Sequence, residues 1–148
     1  MTHCYQTLQD LRNTLLLLHK TLIESEKVSY ETVFGPIPSA NHFLKLLAAD
    51  RWFIWLQPLS QLIVSLDESL DDKELLTPGM AKALIQRSQL LLVASEGCLN
   101  FSGNYYEALQ RDPEVIFAHA EAIRLFRSLS TLAPNPPSPV SGRKDQLN

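Results

Sequence analysis

Two histidines, on separate stretches of helical pattern, are the residues of this chain best suited to chemistry. His19 has Leu15, Leu22 and Ile23 at i−4, i+3 and i+4, and His119 stands among Val115, Ala122, Ile123 and Phe126. Helical periodicity therefore turns both rings inward. Neutral imidazole is the commonest metal ligand. Glu26, on the same broad face as His19, and Asp67, beside an apolar sector, would complete a metal or small-molecule site. In a metal-dependent hydrolase built this way, a metal-bound water would be the nucleophile. Spacing argues for a plainer use. His19 and Glu26 are two turns apart, roughly 10 Å along a helix, too far to share one ion. The Glu-x-x-His pair of ferritin-like bundles is missing from the sequence. An inward histidine is ordinarily a packed residue whose ring nitrogens find hydrogen-bond partners, so a structural polar network is the leading expectation.

Other chemistries find less support. The acidic stretch Asp67, Glu68, Asp71, Asp72, Glu74 lacks the glycine and ligand spacing of an EF-hand. Carboxylates at a helix carboxyl end oppose its dipole and favour a cation or an arginine there, with Arg87 as a candidate. Ser60 has no nucleophile-elbow context, and Cys4 and Cys98 have no histidine beside them. There is no glycine-rich phosphate loop. Tyr105 shares a face with Ala108 and Leu109 and reads as packing. The sequence therefore points to no catalytic residue and to no cofactor.

The elements that must position these residues are helical. Leu8, Leu11, Leu15, Leu18 and Leu22 recur at spacings of 3 and 4, an amphipathic helix expected from about Tyr5 to Phe34, where Gly35-Pro36 stops it. Ser25 and Ser29 extend that stripe with small side chains that let another helix come close. Ser39 can cap a short helix to about Ala48, and Asp50 a longer one to about Leu70. Thr77-Pro78 and Asp112-Pro113 each set a capping oxygen before a proline at the first helical position, starting helices to about Val93 and Leu132. A shorter helix covers "SGNYYEALQR". No strand shows convincing alternation. The expected fold is all-α, a bundle of four main helices plus two short ones, forming a single domain over 1–132. Residues 133–148, "APNPPSPVSGRKDQLN", offer almost nothing to bury and are expected to form a flexible, disordered tail.

The stretch "DRWFIWLQPLSQLIV" raises its own question: recognition site or core. On a helical wheel Trp52, Trp55, Leu56, Leu59, Leu62, Ile63, Leu66 and Leu70 fall in one sector about 100° wide, so both tryptophans are expected in the core with Leu59, Leu62 and Phe126. Pro58 would then kink or break the helix, because it removes the amide that reaches Ile54. Phe53, Ile54 and Val64 fall outside the sector. They are expected either to lie under the short Ser39–Ala48 helix or to form a patch that favours a homodimer.

Bulk composition narrows the function classes. The net charge is −3, and the part before the tail carries eleven positive and fifteen negative groups. No basic cluster exists to neutralise phosphates, which argues against nucleic acid as a partner. The purely apolar runs, Leu15 to Leu18 among them, are no longer than five residues, too short for a membrane span. Two cysteines without a framework suggest a reducing, cytoplasmic setting. The segments "LHKTLIESEKVSYE", "WFIWLQPLSQLIVSLDE" and "YEALQRDPEVIFAHA" are similar to a group of small, uncharacterised bacterial all-helical proteins with no assigned function, over roughly 15–125. That resemblance implies a bacterial origin and carries no functional residue. The chain is thus expected to be a non-enzymatic protein-interaction module, self-associating as a homodimer or meeting another protein. The alternative is a metal- or small-molecule-binding bundle built on His19, His119, Asp67 and Glu26.

Overall fold

The computed structural model describes the backbone of residues 2–132 and the side chains of residues 3–129; the proline-rich stretch expected to be a flexible tail lies outside the described residues. Among these residues the fold is all-α, with six helices and no strand. Helix α1 (Thr2–Phe34) has 33 residues, about 50 Å at 1.5 Å per residue. Its leucine stripe is fully buried from Leu8 through Leu22. Gly35, at φ +90°, returns its amide to the carbonyl of Glu31 at 2.9 Å and ends the helix in the left-handed conformation glycine tolerates.

The remaining helices are α2 (Ala40–Ala49), α3 (Gln57–Asp71), α4 (Pro78–Leu91), α5 (Phe101–Arg111) and α6 (Pro113–Leu132). Side-chain oxygens start four of them. Ser39 accepts from the His42 amide and Thr77 from the Met80 amide, each at 3.1 Å. Asn100 accepts from Ser102 at 3.1 Å and Asp112 from Glu114 at 2.9 Å. These bonds satisfy amides that the first turn leaves without intrahelical partners.

Helix α1 is the central rod, packing against α3 and α6 and more lightly against α4 and α5. Leu59, Leu62, Leu66, Val115 and Ala122 are fully buried around it, with Phe126 nearly so. Gly103 on α5 lets the loop from α4 cross closely, since a Cβ there would collide with the Cys98 carbonyl. No helix among the described residues is long and apolar enough to cross a membrane.

The segment from Asp50 to Leu56 is not the first part of one helix from Asp50 to Leu70, and an interruption lies next to Pro58, where a kink or break was expected. It forms a turn and then a single 3₁₀ turn, Ile54–Leu56, before α3 begins at Gln57. Pro58 therefore sits in the first turn of α3, where its missing amide forfeits no bond, and no kink is needed. The broken helical phase also exchanges the aromatic residues. Phe53, expected outside the stripe, is fully buried, with its ring 5.6 Å from that of Phe43 on α2. Trp52 and Trp55, expected inside, are half-buried at the core's edge. Ile54 and Val64 remain exposed.

Candidate functional site

Beside the leucine stripe of α1 stand Arg12, His19 and Glu26, one residue after Leu11, Leu18 and Ser25 and seven residues apart. This is the flanking position of a heptad, where paired helices place polar side chains against each other. The partners on α3 descend by the same step. The Arg12 Nε–H donates to Asp67 Oδ1 at 2.8 Å, and His19 Nε2 lies 2.7 Å from Ser60 Oγ. Rising numbers on α1 meet falling numbers on α3, so the helices run antiparallel. A second step of seven would reach Phe53, but there the helix has not begun. Glu26 instead accepts from the indole N–H of Trp55 at 2.8 Å. One polar ladder thus runs down the α1–α3 seam.

Its rungs differ in strength. Arg12 and Asp67 are both substantially exposed, and such pairs contribute about 0–1 kcal/mol. Glu26 is 6% exposed, and besides Trp55 it has Arg111 Nη2 at 3.5 Å; the same Nη2 donates to Ser25 Oγ at 3.1 Å. Arg111 is partly open to solvent and forms one wall of a polar hollow of about 340 Å³ that also includes Glu24, Ser29 and Asp112. A buried carboxylate held by an indole N–H and a guanidinium ties the end of α5 and the 3₁₀ turn to α1.

The two histidines each meet a hydroxyl, in different places. His19 is half-buried and its pKa is lowered by desolvation, so the ring is neutral at neutral pH. Ser60 Oγ also lies 3.5 Å from the Leu56 carbonyl, a weak acceptor for its hydroxyl. His119, on α6, has its Nδ1 2.6 Å from the Tyr105 hydroxyl, and desolvation lowers its pKa as well. Tyr105 is fully buried, and burial drives its phenol well above its ordinary range, so the O–H stays protonated and shares one hydrogen bond with Nδ1, whose direction follows the ring tautomer. The Tyr105 ring stacks on Phe101, whose ring lies 5.3 Å from that of Trp55.

The structure does not gather the four sequence candidates into one site. Asp67 is taken by Arg12, Glu26 by Trp55 and Arg111, His19 by Ser60, and His119 by Tyr105. Among the described residues no three His, Cys, Asp or Glu side chains are placed to hold a metal ion. Arg87 does not answer the acidic stretch; it donates to Ser65 Oγ at 3.1 Å. The partners Ser60, Arg111 and Tyr105 were not identifiable as such from sequence. The seven-residue spacing of Arg12, His19 and Glu26 was the available signal. The indole N–H of Trp52 is buried without a hydrogen-bond acceptor, among edge-on contacts with Tyr30 and Phe34.

No family model, no curated protein and no solved structure matches the chain.

Proposed function

We propose that the chain is a protein-interaction module that pairs with a second copy of itself through the outer face of α4. The observation that carries this is how little of α4 the fold covers. Of its fourteen residues only Ala81 and Ser88 are buried, while Leu90 is 75% exposed and Met80 42%. Met80, Ala83, Arg87 and Leu90 follow one another at spacings of 3, 4 and 3, so they share a face. Beside that face lies an open notch of about 320 Å³ between α3 and α4, walled by Pro58, Gln61, Arg87, Leu90 and Leu91.

These positions are self-complementary. A two-fold axis passing Ile85 sets Met80 of one copy against Leu90 of the other, and Ala83 against Arg87. Such an isologous contact closes as a dimer and leaves no open end for a filament. Methionine is flexible enough to fill an irregular notch like this one. The proposed setting is a reducing bacterial cytoplasm, supported by two free thiols, one of them exposed. Sedimentation equilibrium tests the pairing. The wild-type chain is expected at twice its monomer mass in the micromolar range. Met80→Glu with Leu90→Glu is expected to sediment as a monomer with unchanged helical circular dichroism. A wild-type monomer throughout that range ends the proposal.

A further inference from the structure

We propose that Ser60 and His19 form a nucleophile–base pair that accepts an acyl group from an ester or thioester with a short apolar acyl chain. The two residues come from different helices, and the packing of α1 on α3 holds Nε2 and Oγ 2.7 Å apart, within hydrogen-bond reach for proton transfer. With its proton on Nδ1, the neutral ring accepts the hydroxyl proton at Nε2.

What separates this pair from the other hydroxyl–imidazole pair, Tyr105–His119, is access. Ser60 lines an open groove of about 450 Å³ between α2 and α3, walled by Leu44, Leu47 and Val64. His19 lines a second groove of about 610 Å³ on the α1 side, walled by Leu16, Ile23 and Phe43 with Lys20 and Lys27 on its rim. Both volumes fall in the range of small-molecule sites. Leu44 and Val64 are 62% and 53% exposed, apolar surface that an acyl chain would cover. Gln57 and Gln61 flank the hydroxyl in the first groove. The Gln57 amide is tied to the Ala48 carbonyl at 3.2 Å, which leaves Gln61 to donate to a developing oxyanion.

The step balances without any further reagent than water. Ser60 Oγ bonds to the acyl carbon as its proton passes to His19 Nε2. The bond from that carbon to the leaving oxygen or sulfur then breaks, and the leaving group takes the proton from Nε2. Water attacks the acyl-serine, gives a proton to Nε2, and releases the carboxylic acid as the proton returns to Oγ. The α4 face proposed for self-association lies on the other flank of α3, with only Gln61 shared between the two linings, so either proposal can fail alone.

The test treats the full chain with p-nitrophenyl butyrate and, separately, with an alkyl fluorophosphonate, then locates the adduct by peptide mass spectrometry. The expected result is one adduct, on Ser60, formed about 10²-fold faster than in His19→Gln, the smaller end of what a positioned base contributes. No adduct on Ser60 in the wild-type chain overturns the proposal. So does labelling of a folded His19→Gln at the wild-type rate. The wild-type mapping needs no variant, so it decides the matter even where His19→Gln fails to fold.

Discussion

The His19–Ser60 and Tyr105–His119 pairs use the same residue and nearly the same bond, at 2.7 and 2.6 Å, to opposite ends. In one the hydroxyl belongs to a small side chain between two open grooves. In the other it belongs to a phenol that is fully buried against Phe101. Both histidines are kept neutral by desolvation. Burial of the histidine alone therefore says little about its use. What differs is whether another molecule can reach the hydroxyl.

The sharpest way to break the contrast is to compare stabilities in chemical denaturant. Tyr105→Ala empties a fully buried aromatic position and is expected to cost about 4 kcal/mol. Tyr105→Phe keeps the ring and removes only the hydroxyl bonded to Nδ1, at an expected cost of about 1–2 kcal/mol. Ser60→Ala is expected to cost about 0.5 kcal/mol, because water in the grooves can replace the lost hydroxyl. Equal costs for Ser60→Ala and Tyr105→Phe would show that the two pairs are alike.

The gentlest effect is expected from pH. Both histidines have folded-state pKa values below the ordinary 6.5, so their contribution to stability is complete above 6.5. As pH falls below that value the unfolded chain binds protons first, and stability declines until the folded-state values are reached. Thermal melting followed from neutral pH downward should show the decline, and His19→Gln and His119→Gln should each flatten it. A variant that leaves the slope unchanged would identify a ring whose titration folding does not alter.

Much of the helical skeleton was readable because its signals are local. A leucine stripe, a capping oxygen three residues before its amide, and a proline at the first helical position act within one or two turns. The Asp50–Leu56 segment misled for the same reason: the wheel assumed an unbroken helix, and the 3₁₀ turn shifted the phase so that Phe53 went in and the tryptophans moved to the edge. The candidate site was half legible. The inward aim of His19 and His119 followed from periodicity, but their partners stand 41 and 14 residues away.

From the sequence alone came the all-α class, the starts of α4 and α6, the stop at Gly35 and the buried leucine stripe, since each depends on neighbours a few residues apart. Only the tertiary structure decided that Arg12, His19 and Glu26 form successive rungs with Asp67, Ser60 and Trp55. It also decided that the two histidines bond to different hydroxyls, and that one hydroxyl opens on grooves while the other is sealed. Those outcomes depend on the register between helices, which is set by the packing of whole faces.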